Sequence, residues 1–353
     1  MRVLIAGAGP TGLTAAVELT RRGDHAEVID RRQDGSTFSR AVGILPRSLS
    51  LLAPSGVTEK LLAQGVKIRE VRFFMDTECL LSIPLAGAGR KDNFVLALAQ
   101  DRTENAMRDV FTALGGTVRY GTELVGLRQE ENRVVVETGK GEESSFDHVI
   151  GADGVRSATR QALKLDFPGY DLPETWSIAD VDAENWPNAG VFTMCLLPAG
   201  KVAVVAPLEA TRYRVISNTD DALATLPLDL DVTHIRREGK FNISIRQVDE
   251  YARGRVFLAG DAAHCHSPVG GRGMNLGIAD AAELAACMAE GRLEGYSAAR
   301  HKDGAQTIAL SERGRRLVTS AHPLNRPLLS AALKLIARAP VLQRRIAGTF
   351  LPE

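Results

Sequence analysis

The feature that most constrains the fold is a glycine-rich turn between a short apolar run and a helical pattern near the N-terminus. Residues 2–6 read RVLIA, which is typical of a buried parallel strand. Residues 12–22 place apolar side chains at helical spacing before Gly23 ends the helix. Residues 26–29 predict a second strand, closed by Asp30. Together these segments predict a strand–helix–strand unit of an α/β fold.

The turn itself, residues 7–12, reads GAGPTG and matches the GxGxxG pattern of dinucleotide-binding proteins. Gly7 permits the tight turn, Gly9 lets a pyrophosphate approach the backbone, and Gly12 lets helix and strand pack closely. Free N–H groups at the helix N-terminus favour a phosphate, and Asp30 can accept hydrogen bonds from ribose hydroxyls. The alternative is a glycine turn without a ligand. The strand, helix and acid around the turn favour a dinucleotide.

Two later clusters also place an aspartate directly after a short apolar strand and beside glycines. Residues 150–160 read IGADGVRSATR, and residues 257–275 read FLAGDAAHCHSPVGGRGMN. At a strand end, Asp153 and Asp261 are free to bind a ligand hydroxyl. Each could instead cap the helix that follows it.

Charge and hydropathy exclude several classes of protein. Lys and Arg number 43, and Asp and Glu also number 43, so the zero net charge does not indicate a nucleic-acid surface. No run approaches the ~18 apolar residues of a membrane span, so we expect no stable membrane insertion. The N-terminus leads straight into the glycine turn rather than into a cleavage region, so we expect a cytoplasmic protein.

The cysteines and histidines do not indicate a metal or disulfide site. The four cysteines are irregularly spaced and form no CxxC pair, so we expect reduced thiols. His264, Cys265 and His266 lie close together but lack the further ligands that a zinc site needs. We therefore expect no metal.

The ordered motifs resemble those of the para-hydroxybenzoate hydroxylase-like family, the single-component aromatic hydroxylases or class A flavoprotein monooxygenases. The residues that carry the resemblance are GAGPTG at 7–12, GADGVRS at 151–157, and GDAAH with PVGGRGMN at 260–275. SRAVGILPRSL at 39–49 and QDRTE at 100–104 support it. The chain is similar to polyketide and phenol hydroxylases; many of these carry a further thioredoxin-like domain, which we do not expect in a chain of this length.

The resemblance implies non-covalent FAD and assigns roles to particular residues. Asp30 would bind the adenosine ribose, where the family usually has Glu, and Asp261 would hold the ribityl hydroxyls. Residues 268–275 would lie beside the isoalloxazine ring; within them Arg272 stands where the family often has Gln. The implied cofactor-binding residues are Gly7, Gly9, Pro10, Thr11, Gly12, Asp30, Arg31, Arg40, Gln100, Asp153, Gly154, Gly260, Asp261, Pro268, Gly271, Gly273, Met274 and Asn275.

No residue is assigned as a catalytic acid or base. A sheet over residues 169–247, where short apolar runs alternate with Pro, Gly and Asn turns, would line the substrate pocket. The candidate substrate contacts, each also compatible with a plain core position, are Arg47, Phe73, Met194, Val204, Ala206 and Tyr213.

The implied architecture is a Rossmann-like FAD-binding domain with a second, antiparallel-sheet substrate domain. We expect the FAD-binding domain to be discontinuous. The predicted boundaries are 1–70, 98–168 and 251–320 for the FAD-binding domain, 71–97 and 169–250 for the substrate domain, and 321–353 for a C-terminal helical segment.

The implied function is hydroxylation of an aromatic or polyketide-like small molecule with FAD, O2 and transient NAD(P)H, through a flavin C4a-hydroperoxide. No second GxGxxG is present for the nicotinamide donor. Two alternatives remain open, an FAD-dependent reductase or dehydrogenase without oxygen insertion and a catalytically silent flavin-binding protein. We expect a monomer or homodimer.

Overall fold

The computed structural model describes residues 1–35, 41–85, 93–322 and 324–350. In the described residues the strands, in chain order, are β1 (Arg2–Ala6), β2 (His25–Asp30), β3 (Gly43–Ile44), β4 (Val66–Ile68), β5 (Glu70–Met75), β6 (Glu78–Pro84), β7 (Val95–Ala97), β8 (Val118–Tyr120), β9 (Leu124–Gln129), β10 (Val134–Thr138), β11 (Glu143–Phe146), β12 (His148–Gly151), β13 (Gly169–Glu184), β14 (Phe192–Leu196), β15 (Val202–Pro207), β16 (Arg212–Ser217), β17 (Asp231–Gln247), β18 (Ala252–Arg253), β19 (Val256–Leu258) and β20 (His264–Cys265).

The α-helices in the same residues are α1 (Pro10–Arg21), α2 (Pro46–Leu52), α3 (Val57–Leu62), α4 (Gln100–Ala113), α5 (Ala158–Ala162), α6 (Ala222–Thr225), α7 (Gly273–Glu290), α8 (Tyr296–Val318), α9 (Asn325–Ala337) and α10 (Pro340–Phe350). None of these helices is both long enough and apolar enough to cross a membrane.

A six-stranded sheet is built around the N-terminal strand. Its order is β18-β19-β12-β1-β2-β8, and all pairs are parallel except β18 with β19. β1 is almost fully apolar because both of its faces are covered, as is usual for a parallel sheet. Helix α1 crosses from β1 to β2 and packs against α4 and α7. The predicted strand–helix–strand unit is therefore confirmed.

A second sheet of eight strands carries most of the remaining β structure. Its order is β20-β17-β13-β16-β15-β14-β5-β6, and its pairs are antiparallel except β14 with β5. Helices α9 and α10 pack against β6 at one end. The predicted fold class, an α/β protein with a Rossmann-like sheet and a second antiparallel sheet, is confirmed.

The second sheet differs in detail from the sequence expectation. The sequence predicted only short strands between residues 169 and 247, whereas β13 and β17 have 16 and 17 residues. Their register shifts at three places along the pairing, so the apolar alternation that marks a strand is broken repeatedly. Polar and charged residues make up much of both strands, and such a composition is more typical of loops.

Candidate cofactor and substrate site

The three glycine motifs meet at one edge of the six-stranded sheet. β12, β1 and β2 are adjacent and parallel, and β19 lies next to β12. Each motif begins where its own strand ends. The chain leaves β1 toward β2 on one side and later returns to β12 on the other, so the strand order reverses beside β1. Ligands of open α/β sheets bind at such a reversal, outside the carboxyl ends of the strands.

Two glycines of the first motif are required by close backbone packing. Gly7 has φ +107°, and a Cβ built on it would lie 2.3 Å from the carbonyl oxygen of Ala152 in the second motif. A Cβ on Gly12 would lie 1.9 Å from the carbonyl oxygen of Gly7. These contacts leave no room for a side chain, in agreement with the roles predicted for the two residues.

Gly9 differs from these two glycines, because the protein leaves open space around it. It is the N-cap of α1, with Pro10 as the first helical residue, and no side chain caps this helix end. A Cβ on Gly9 would meet no atom within 4 Å. The N-terminus of α1 therefore offers N–H groups to open space, which is the arrangement that holds a phosphate.

Asp30 lies at the end of β2 and is already hydrogen-bonded within the protein. Its Oδ2 accepts from the N–H of Ala8 at 2.8 Å and from Nη2 of Arg32 at 2.9 Å. Its Oδ1 accepts from the N–H and Nε of Arg32 at 2.8 and 3.0 Å. Burial would raise the pKa of Asp30, but the bonds from Arg32 and Ala8 outweigh it and hold the pKa below its usual value.

Of the two arginines at this strand end, Arg32 is the one that pairs with Asp30. Arg31 remains a predicted cofactor contact. Arg31 is exposed, and its Nη1 lies 3.8 Å from Glu123. Arg32 forms ion pairs with both Asp30 and Glu104. The sequence alone does not show which of the two adjacent arginines faces Asp30. That depends on the residue at which β2 ends, because side chains alternate between the two faces of a strand.

Gln100 links helix α4 to the same region. Its Oε1 accepts from the N–H of Ala41 at 3.3 Å, and its Nε2 donates to Glu104 at 2.9 Å. Glu104 in turn pairs with Arg32, so Gln100 is connected to Asp30 through side chains. The predicted contact Arg40 lies outside the described residues.

Asp153 in the second motif has one carboxylate oxygen bonded within the protein and one without a partner. Its Oδ2 accepts from the N–H and Oγ1 of Thr159 at 2.9 and 3.0 Å, so it caps the start of α5. Its Oδ1 is buried and has no hydrogen-bond partner. Gly154 beside it has φ +80°, and a Cβ there would meet no atom within 4 Å. The free oxygen is therefore available to a ligand.

The third motif packs directly on the first. A Cβ on Gly260, which has φ +62°, would lie 2.5 Å from Oγ1 of Thr11, and a Cβ on Gly277 would lie 2.2 Å from the same atom. Thr11 therefore fills the contact between α1 and α7. Asp261 follows Gly260 and is exposed at this edge.

A buried charged network behind the third motif was missed by sequence reasoning. Asp280 on α7 accepts from the N–H of Gly260 at 2.9 Å and from Nε of Arg300 at 2.7 Å, and its Oδ2 lies 2.6 Å from Nε2 of His264. Burial would raise the pKa of Asp280, but His264 and Arg300 outweigh it and keep the pKa low. The available signal was an aspartate between apolar residues of a helix, in IADAA at 278–282, since such residues are rarely buried without partners.

The loop that precedes α7 is fixed by Asn275. Its Nδ2 donates to the carbonyl oxygens of Gly43 and Gly271, both at 2.9 Å, and its Oδ1 accepts from the N–H of Leu45 at 2.8 Å. Asn275 thus positions the loop within the protein. Of the other predicted residues there, Pro268 is exposed, Gly271 has φ +60°, Gly273 begins α7, and Met274 packs on the core.

Five of the six substrate candidates can be placed relative to one sheet face. Phe73 pairs with Met194, and Met194 with Val204, so these side chains share a face. Ala206 lies two residues beyond Val204 on the same face. Tyr213 points to the opposite face, where it packs against Trp186 with ring centroids 6.4 Å apart. The structure therefore does not bring Tyr213 together with the others, because side chains alternate along a strand.

The face that carries Phe73, Met194 and Val204 also contacts the loop before α7. Val269 from that loop packs on the same apolar cluster. Arg47, by contrast, is exposed on α2. An apolar surface thus lies next to the residues predicted to run beside the flavin ring.

The described residues fit FAD. Open space lies over Gly9, Gly154 and Gly271. Uncapped N–H groups suit a pyrophosphate, and the buried Oδ1 of Asp153 suits a donor from the cofactor.

Comparison with known proteins gives the same result. The family described as FAD binding domain matches residues 1–310. The chain is 35% identical over 325 residues to rifampicin monooxygenase of Streptomyces venezuelae, covering 85% of this chain and 68% of the relative. Other curated relatives are matched over 57% to 72% of their length.

Solved structures extend the likeness to the whole fold. Anhydrotetracycline hydroxylase from Streptomyces rimosus is 29% identical with a TM-score of 0.80, covering 99% of this chain and 75% of that one. p-Nitrophenol 4-monooxygenase from Pseudomonas putida DLL-E4 has a TM-score of 0.89 at 22% identity, covering 99% of this chain and 97% of that one, and so shares the fold. The chain belongs to the FAD-binding domain family of flavin-dependent monooxygenases.

Proposed function

We propose that this protein uses FAD, NAD(P)H and O2 to hydroxylate an aromatic or polyketide-like small molecule. The observation that carries the proposal is the convergence of three motifs from distant parts of the sequence on one edge of the parallel sheet. An apolar sheet face lies beside the third motif. The named activities of the similar proteins support the same reaction class.

The cofactor, when bound, supplies electron transfer and oxygen activation, and the protein supplies position and electrostatics. The N-terminus of α1 would hold the pyrophosphate, since no side chain caps that helix end. Helix α7 begins at Gly273, directly after the loop predicted to lie beside the ring. Its N-terminal dipole favours negative charge there, as reduction of the flavin requires.

The apolar face would select the substrate and keep the site dry. Met194 and Val204 are buried, and Phe73 is half-buried beside them. A surface of this kind binds flat aromatic compounds and excludes water from the reacting atoms. We therefore propose a substrate with an extended aromatic part.

Substrate-stimulated oxidation of NAD(P)H under 18O2 tests the proposal. Purified holoenzyme is incubated with rifampicin, anhydrotetracycline, p-nitrophenol or simpler phenols, and the products are analysed by mass spectrometry. A product that gains one 18O atom supports hydroxylation. Reduction of a substrate without 18O would instead assign a reductase. Bound FAD with no NAD(P)H oxidation under any condition would assign a silent flavin-binding protein.

A further inference from the structure

An arginine-lined cleft of about 500 Å³ lies between helix α4 and the second sheet. Its walls carry four guanidinium groups and two carboxylates: Arg102, Arg212, Arg236, Arg237, Asp101 and Asp180. Such a volume is within the usual range of small-molecule sites. The excess of arginine indicates an anionic ligand.

Several polar atoms in this cleft are incompletely used by the protein. The Nε of Arg212 is buried without a hydrogen-bond partner, and so is Oδ1 of Asp101. Both carboxylate oxygens of Asp182 accept from Nε of Arg236, at 2.8 Å each. The Nη1 and Nη2 groups of Arg236 take no part in these hydrogen bonds. The cleft thus offers donors for an anion and one acceptor for a hydroxyl or amide N–H.

A second cleft, of about 610 Å³, continues from the first. Arg102 lines both clefts. Glu209 of the second cleft lies 3.9 Å from Arg102 and 3.2 Å from Arg212 of the first. The second cleft is lined mainly by small and apolar residues, including Val66, Leu98 and Ala210. We call the two clefts together the α4 groove; one end of it is cationic and the other apolar.

The α4 groove adjoins the FAD site through a short chain of contacts. Asp101 directly follows Gln100, whose Oε1 accepts from the N–H of Ala41. The carbonyl oxygen of Ala41 accepts from Nη1 of Arg214, and Arg214 pairs with Asp180 in the cationic end. The cationic end of the groove is therefore linked to Gln100 through Ala41 and Arg214.

We propose that the α4 groove binds the nicotinamide dinucleotide that reduces the flavin. The cationic end takes phosphate oxygens, since a guanidinium can donate two parallel hydrogen bonds to a phosphate. Oδ1 of Asp101 accepts from a ribose hydroxyl, and the apolar end holds a flat base. The proposal rests on the proposed function, because only a nicotinamide-dependent enzyme needs such a site. A separate groove for the nicotinamide dinucleotide would also explain why the sequence contains a single GxGxxG motif, which is assigned to FAD.

The double variant Arg236→Gln/Arg237→Gln tests the groove. The dissociation constant of NADP+ is measured by calorimetry on oxidised holoenzyme, and that of NADPH by anaerobic stopped-flow reduction. We expect both constants to rise at least tenfold and to lose part of their dependence on salt, since charge-assisted bonds to phosphate are removed. The matched control is Arg128→Gln/Arg133→Gln, two exposed arginines on β9 and beside β10 that pair with glutamates.

The outcomes separate the groove from the proposed function. Dissociation constants within twofold of wild type in the Arg236/Arg237 variant, with FAD still bound, would overturn the assignment. A shift confined to the aromatic substrate would also overturn it, because the groove would then be a substrate site. If wild-type flavin is not reduced by NADPH or NADH, yet NADP+ binding is lost in the variant, the proposed function fails and the groove remains a dinucleotide site.

Discussion

Asp30 is held by four hydrogen bonds that come entirely from the protein. The Ala8 N–H lies in the glycine turn and Arg32 follows the strand, so the carboxylate joins the turn to the end of β2. Asp153 differs, since one of its oxygens caps a helix and the other is buried without a partner. At the residue scale, Asp30 fixes the glycine turn, and Asp153 has one oxygen that no protein group uses.

We expect Asp30→Ala to weaken FAD binding by roughly ten- to a hundredfold, the range for loss of a charge-assisted hydrogen bond of ~1.5–3 kcal/mol. The glycine turn would lose the acceptor of its Ala8 N–H, and Arg32 would lose its partner. Fluorescence titration of apo-protein with FAD measures the effect. Glu142→Ala, which removes an exposed carboxylate paired with Arg119, serves as control. Equal affinity in the two variants would contradict the role given to Asp30.

His266 predicts a pH dependence of stability. Burial lowers its pKa to about 4, and its ring lies beside the loop before α7 with Nδ1 2.8 Å from the carbonyl oxygen of Ser267. The pKa of histidine in the unfolded chain is ~6.5. Between this pH and about 4, the unfolded state therefore binds a proton that the folded state does not bind. Stability is therefore full above pH ~6.5 and falls as pH drops toward 4.

Thermal melts of wild type and His266→Gln at pH 7.5 and pH 5 check this expectation. The melting temperature of the wild type should fall further between the two values than that of the variant, because the variant lacks the group that must stay neutral. His25→Gln, an exposed histidine at the start of β2, should fall as the wild type does. An identical fall in all three proteins would show that His266 is not responsible.

At the scale of elements, two glycines at the start of helix α1 differ in what surrounds them. Gly12 is needed by the fold, since its Cβ would meet the Gly7 carbonyl oxygen at 1.9 Å. For Gly9 the protein sets no such limit, since its backbone is extended at φ −79° and its Cβ would enter open space. We therefore expect replacement of Gly12 to destabilise the protein and replacement of Gly9 to weaken cofactor binding.

Gly9→Val and Gly12→Ala test these two expectations. We expect apo Gly9→Val to melt within a few degrees of wild type but to bind FAD at least a hundredfold more weakly, because the side chain occupies the phosphate position. Gly12→Ala should lower the melting temperature of the apo-protein, by roughly 1–2 °C per kcal/mol of overpacking in a chain of this length. Differential scanning fluorimetry and FAD titration measure both. A stable Gly12→Ala apo-protein would contradict the packing argument.

The elements also show what a sequence can and cannot predict. β1, β12 and β19 were predictable because each is a short apolar run followed by glycines, a local pattern. β13 and β17 were not predictable at their full length, because register shifts break their alternation. The bond from Asp280 to His264 joins residues 16 apart on different elements, and only the packed fold brings them together. The direction of Tyr213 likewise depends on the exact register of β16.

At the scale of the whole molecule, Arg214 links the eight-stranded sheet to the segment that precedes β3. Its guanidinium is fully buried and forms two hydrogen bonds with Asp180, at 2.6 and 2.7 Å. The same guanidinium donates to the carbonyl oxygen of Ala41, whose N–H donates to Gln100 at the start of α4. The eight-stranded sheet is thus connected to α4 through the segment before β3 by a buried charge.

We expect Arg214→Met to destabilise the protein by about 3–5 kcal/mol, because the buried Asp180 loses the guanidinium that forms two hydrogen bonds with it. The double variant Asp180→Leu/Arg214→Met should lose less, since neither member of the buried pair is left without the other. Denaturation followed by tryptophan fluorescence reports on the second sheet, where Trp176 and Trp186 are buried, and flavin fluorescence reports on the first. A double variant less stable than Arg214→Met would contradict this explanation.

The order of strands around β1 has a consequence for synthesis on the ribosome. The cofactor edge joins residue 7 to residue 152 and residue 11 to residue 260, so its contacts close loops of more than a hundred residues. Folds with such distant pairings form slowly, and their apolar surfaces stay exposed meanwhile. The nascent chain cannot complete its cofactor site until β19 and α7 have emerged. Until then the apolar side chains of β1 and β2 lack part of the structure that covers them in the folded protein.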